Sequence, residues 1–133
     1  MEPGMKQSKL TLSVLEGSLG VCRLDREAGV PGWALESDFY SITKTGNELS
    51  VVCPEESVPA GVKCEKGWNC LKVEGPLDFT LTGILSGLSL VLAERGISIF
   101  AVSTYDTDYI LIREKDLENA VDALEGAGYR ILK

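Results

Sequence analysis

Few side chains in this sequence are able to do chemistry, and most of those are acidic. Among its 133 residues there is no histidine, against 20 Asp and Glu and 13 Lys and Arg, for a formal net charge of -7. Without imidazole the commonest general base at neutral pH is missing, and serine–histidine and cysteine–histidine triads are excluded. Cys22, Cys53, Cys64 and Cys70 include no Cys-x-x-Cys pair. A zinc site therefore has no ligand pattern to build on, and the thiols read as small apolar fillers in or near strands. No Walker or dinucleotide glycine pattern appears, so neither a metal nor a cofactor is expected.

Two short segments remain. Asp106 and Asp108 stand close together in Ser103-Thr104-Tyr105-Asp106-Thr107-Asp108, and the turn Glu74-Gly75-Pro76-Leu77-Asp78 leads into a stretch of helical periodicity. A pair of carboxylates accepts hydrogen bonds from an ammonium group, whereas a hard cation usually needs more carboxylates close together. The start of a helix offers unpaired N–H groups to an anion, and Gly75 lets a ligand approach the backbone. Each segment also has a plain structural reading. Asp106 and Asp108 are good turn residues, Tyr105 suits a loop aromatic over a sheet edge, and Asp78 suits a helix cap.

The elements that must position these residues are clearest in the second half. Residues 68–74 read as a strand, followed by a helix starting near Asp78 with Leu81, Ile84, Leu85, Leu88, Val91 and Leu92 at helical spacing, closed by Gly96 in a left-handed cap. Strands follow over 97–104 and 108–113, then a helix carrying Leu117, Ala120, Val121 and Leu124, then a last strand at Tyr129-Arg130-Ile131-Leu132. The order βαββαβ is the ferredoxin-like arrangement, an antiparallel sheet with both helices on one face. Tyr109-Ile110-Leu111-Ile112 is apolar on both faces, which predicts a covered, central strand. The first half is strand-rich: alternating Leu10, Leu12 and Val14, a short run at Val21-Cys22-Arg23-Leu24, and a hairpin of 40–44 with 49–53 about Thr45-Gly46-Asn47. No amphipathic helix is read between Gly17 and Tyr40. The fold class expected is α+β, with units at 1–67 and 68–133.

Composition narrows the partners. A pI near 4.6 argues against nucleic acid and against an anionic membrane surface, both of which call for clustered Lys and Arg. The start of the chain lacks the apolar core of a signal peptide and no apolar stretch reaches the length of a membrane span, so a cytoplasmic address with reduced thiols is expected. Glu114, Asp116, Glu118 and Asp122 read as a solvated helix face.

The run 96–112, with Ser103-Thr104-Tyr105-Asp106-Thr107-Asp108 at its centre, resembles the signature of a small bacterial family of ACT-like domains. Residues 74–83, the N-terminal Leu10-Thr11-Leu12, Cys22-Arg23-Leu24 and Leu49-Ser50-Val51-Val52-Cys53-Pro54 fit the same family. That family is related to the regulatory region of aspartate kinases and is similar to the cytosolic arginine-sensor proteins of animal growth signalling. The resemblance implies tandem ACT-like units that respond to a small ligand, an amino acid, without catalysis and usually as a homodimer. It also implies that Thr104, Tyr105 and Asp108 lie at the ligand site. An amino acid suits the segments above: its carboxylate would meet Gly75, Pro76, Leu77 and Asp78, and its ammonium would meet Asp106 and Asp108. Two rivals stay open: a constitutive protein-interaction module with a vestigial pocket, and a small hydrolase on the same scaffold. Hydrolysis of the acyl phosphatase kind wants an Arg-bearing phosphate loop, and the only candidate loop here is acidic.

Overall fold

The computed structural model of the chain describes residues 10–75 and 83–133. The described residues divide into two compact units, Gly17–Trp68 and a second made of residues 10–16 together with those of Asn69–Lys133. The elements in chain order are β1 (Thr11–Val14), β2 (Leu19–Leu24), β3 (Ser41–Lys44), β4 (Leu49–Pro54), β5 (Cys64–Val73), α1 (Ile84–Glu94), β6 (Ile99–Ser103), β7 (Asp108–Arg113), α2 (Leu117–Gly126) and β8 (Arg130–Leu132).

The second unit carries the βαββαβ order as β5, α1, β6, β7, α2, β8. Its sheet runs β6-β7-β5-β1-β8, so it has a strand more than that order alone supplies. The extra strand is β1, which the division at residue 67 places with the N-terminal half. It pairs antiparallel with β5 (Leu12 opposite Val73) and parallel with β8 (Leu12 opposite Ile131). Residues 17–68 are thus an insertion between β1 and the rest of this unit.

One face of this sheet meets both helices. Leu12, Leu71, Val73, Ile110, Ile112 and Ile131 from the strands pack with Leu88 and Leu92 of α1 and Ala120, Val121 and Leu124 of α2. The strand members recur at spacing two (71 and 73, 110 and 112), as residues on one face of a strand must. The three residues Ile110, Leu111 and Ile112 are all fully buried, so β7 is covered on both faces. Each such aliphatic side chain contributes about 1.5–3 kcal/mol on burial.

Both helices end in the same way. Gly96 has φ +71; its N–H donates to the Ala93 carbonyl at 2.9 Å and the Ile97 N–H donates to Leu92 at 3.0 Å. Gly128, at φ +102, repeats the motif with its N–H donating to Glu125 and that of Tyr129 to Leu124, each at 3.0 Å. These are Schellman caps, which satisfy the last carbonyls and turn the chain back toward the sheet. The described part of α1 begins at Ile84 with Gly83 at its N-cap, φ +77, and no side chain caps it. Asp78, read from sequence as the cap of this helix, lies outside the described residues. Gly87 sits where an added Cβ would come within 3.2 Å of the Tyr129 hydroxyl, so this glycine serves close packing.

The Gly17–Trp68 unit contains no α-helix among its described residues, only 3-10 turns at Gly32–Leu35 and Glu55–Ser57. Its strand order is β3-β4-β2 and the first part of β5. Cys22, Ala34, Leu49, Val51, Cys53 and Val58 form its core, with Trp33, Ile42, Val62 and Cys64 packed against them. The β3–β4 turn is closed by the Thr45 hydroxyl oxygen, which accepts the N–H groups of Asn47 (3.1 Å) and Glu48 (3.2 Å).

Burial has a titration consequence. It is the leading cause raising the thiols of Cys22, Cys53 and Cys70, the last to about 12, and it raises the Tyr129 phenol. The folded chain therefore holds these protons more tightly than the unfolded chain does. The stability this contributes is complete below the ordinary thiol value of about 9 and is lost as pH rises from there toward the folded values. Urea midpoints are expected to hold level from about pH 7 to 8.5 and to fall steadily above about pH 9. A midpoint unchanged to about pH 11 would contradict this.

Candidate functional site

The β6–β7 hairpin is built from its ladder outward. Ile99 pairs with Ile112 and the register continues to Ser103 opposite Asp108, which leaves residues 104–107 as the turn. Thr104 and Thr107 lock that turn from both ends. The Thr104 N–H donates to the Thr107 carbonyl at 2.8 Å, the Thr104 hydroxyl donates to the same carbonyl at 3.1 Å, and its oxygen accepts the Thr107 N–H at 3.3 Å. The hydroxyl of Thr107 is buried and donates to the carbonyl of Val73 at 2.6 Å. That bond fastens the hairpin tip to the end of β5, just before Gly75.

The predicted ligand residues fall on either side of this anchor. Tyr105 is 80% exposed and Asp106 is exposed, while Asp108 is half-buried and accepts the Ser103 hydroxyl at 2.6 Å through Oδ1. Gly75 is exposed at the end of β5. Beside it the Glu74 carboxylate accepts the Ser13 hydroxyl, and the Glu74 N–H donates to the Thr11 carbonyl at 2.8 Å. The structure thus brings Gly75 to the same end of the sheet as Thr104, Tyr105, Asp106 and Asp108. Pro76, Leu77 and Asp78 lie outside the described residues.

Thr107 was not among the residues singled out from sequence. Its spacing from Thr104 suits a turn, but nothing local announces a buried hydroxyl whose acceptor is a carbonyl in another strand. The tip is acidic and rich in hydroxyl groups, suited to accept hydrogen bonds from a cationic or ammonium-bearing ligand. Among the described residues, no group of three or more His, Cys, Asp or Glu side chains is arranged to hold a metal ion. A separate groove of about 520 Å³ opens beside α2. Its apolar lining includes Val14, Leu117 and Val121, and its acidic lining is Glu118, Asp122 and Glu125. Glu118 and Asp122, read from sequence as a solvated face, therefore border a concavity.

Comparison with known proteins gives this architecture a family. The model of the ACT domain matches residues 63–126, and a model of an N-terminal domain matches residues 17–61. A crystal structure of protein Atu0741 from Agobacterium tumefaciens is 42% identical and superposes with a TM-score of 0.89 over 93% of this chain and 92% of that one. Residues 63–126 belong to the ACT domain family. Cytosolic arginine sensor for mTORC1 subunit 1 of Bos taurus is 31% identical over 97 residues, 65% of this chain; the chain spans 30% of that relative's length. Aspartate kinase from Synechocystis shares the ACT fold, with a TM-score of 0.65 at 20% identity over 95% of this chain and 28% of the kinase. The match at residues 17–61 lies inside the inserted unit, and that at 63–126 spans β5 to α2, so the two models meet close to where the structure divides the chain.

Proposed function

We propose that this chain is a non-catalytic regulatory ACT module that binds an amino acid at the β6–β7 hairpin and signals by a shift in unit or subunit packing. The observation that carries the reading is the Thr107–Val73 bond. It holds an acidic tip, with Asp106, Asp108 and an exposed Tyr105, rigidly beside Gly75. The similarity to the bovine arginine sensor supports an amino acid as the ligand class. Asp106 and Asp108 accept the ammonium group, and the backbone beginning at Gly75 and passing through Pro76, Leu77 and Asp78 receives the carboxylate. The tip is open, so a second copy of the chain supplies the remaining wall in a homodimer. The ligand then favours one packing over another by no more than its difference in affinity for the two. The acidic charge supports neither nucleic acid nor an anionic membrane as partner, and no described helix is long and apolar enough to cross a membrane. The working address is the cytoplasm.

A thermal-shift screen over the standard amino acids tests this. One or a few are expected to raise the melting temperature, since a hundredfold excess over Kd stabilises by about 2.7 kcal/mol. No response to any of them would overturn the reading. That outcome would favour a constitutive protein-interaction module with a vestigial pocket, for which the groove beside α2, lined by apolar and charged side chains, is the supporting observation.

A further inference from the structure

Three of the four cysteines meet in the Gly17–Trp68 unit. Cys22 on β2 and Cys64 at the start of β5 are direct partners in the antiparallel ladder. The next residues supply the ladder bond, with the Arg23 N–H donating to the Lys63 carbonyl at 3.0 Å. Bonded and non-bonded pairs alternate, so Cys22 and Cys64 occupy a non-hydrogen-bonded position, where Cα atoms lie about 4.5 Å apart and side chains approach most closely. That separation falls within the roughly 4.4–6.8 Å that a disulfide spans. The Cys64 side chain lies close enough to help raise the Cys22 thiol. Gly20 makes the room: a Cβ at that position would lie 2.6 Å from the Cys64 sulfur. Access is one-sided, because Cys22 is 1% exposed whereas Cys64 is only partly covered.

We propose that Cys22 and Cys64 are a reversible oxidation site, which a hydroperoxide converts into a cross-strand disulfide. The Cys64 thiolate attacks the peroxide oxygen, the O–O bond breaks, and the departing hydroxide takes a proton and leaves as water. Cys64 is now a sulfenic acid. The Cys22 sulfur attacks the Cys64 sulfur and gives up its proton, and the sulfenic hydroxyl leaves as a second water. Two thiols have lost one electron each, and one peroxide has been reduced to two waters. A dithiol reductant reverses the link by exchange. The order of events follows from the surroundings. Burial, then Cys64 itself, keeps the Cys22 thiol protonated well above its ordinary range, so the more accessible Cys64 meets the oxidant first. Cys70 belongs to the other unit and is buried, with its thiol pushed up to about 12, and serves as an internal control.

Trypsin separates all four thiols, into peptides 10–23 (Cys22), 45–63 (Cys53), 64–66 (Cys64) and 67–72 (Cys70). The full chain is treated with equimolar hydrogen peroxide, alkylated, digested without reductant and read by mass spectrometry. The expected product is peptide 10–23 joined to 64–66, lighter by about two hydrogens than the pair and absent after dithiothreitol. Loss of free thiol at Cys64 should run at least about tenfold ahead of that at Cys70. Cys53→Ser should still form the link, and Cys64→Ser should not. Joining of 64–66 to 45–63 instead, conversion of Cys64 to a sulfinic acid with no link, or loss of all four thiols at one rate would each overturn the proposal.

Discussion

Asp108→Asn is expected to weaken binding of the responsive amino acid by roughly 10- to 100-fold while leaving the melting temperature of the free protein nearly unchanged. The carboxylate of Asp108 is half-exposed, and its Oδ1 accepts the Ser103 hydroxyl at 2.6 Å. Asparagine keeps an oxygen for that bond, so the hairpin loses little, and stability should stay within about 0.5 kcal/mol of the parent. What the substitution removes is the negative charge. A hydrogen bond to a charged partner is worth about 1.5–3 kcal/mol, which sets the size of the affinity loss. Titration calorimetry checks the affinity, and a melting curve without ligand checks the fold. Equal affinity in the variant would take Asp108 out of the site. A large fall in melting temperature would show that its role is structural.

Ile110→Ala should produce the largest loss of stability among single changes near the hairpin, about 2–5 kcal/mol. Ile110 is fully buried on β7 and packs on the face that receives both helices, in the same cluster as Leu88, Leu92 and Leu124. Truncation to Ala removes the transfer energy of its methylene and methyl groups and leaves a cavity that rigid sheet neighbours cannot close. Urea denaturation measures this as a lowered midpoint with an unchanged slope. A loss under about 1 kcal/mol would mean that β7 is not the covered strand described here. The two substitutions separate cleanly, one acting on affinity without stability and the other on stability.

Much of this architecture is legible in the sequence because its signals are local. The β6–β7 hairpin follows from two β-rich runs around a turn holding Tyr105, Asp106 and Thr107, and α2 follows from Leu117, Ala120, Val121 and Leu124 closed by Gly128. Long-range pairing is not written that way. The alternation of Leu10, Leu12 and Val14 announces a half-buried strand, but a period of two does not say that its neighbours are β5 and β8. The sequence reading starts β5 only at residue 68, on the far side of Gly67. In the structure that glycine lies within the strand at φ +82, with its N–H donating to the Glu55 carboxylate at 2.8 Å. The β2–β5 register shifts between Leu19 and Val21 in the same region, as a strand irregularity requires. At the site the acidic turn is visible in the residue types. Its anchor is not, because the Thr107 hydroxyl finds its acceptor on Val73, far away in sequence.

Amide chemical-shift mapping of the labelled chain, titrated with the amino acid that gives the largest thermal shift, locates the bound ligand residue by residue. The largest perturbations are expected to cluster at residues 103–108 and at Glu74 and Gly75, and to saturate together along one binding curve. Perturbations confined to α2 and the groove residues Leu117, Val121 and Glu125, with the hairpin amides unmoved at saturation, would contradict binding at the hairpin.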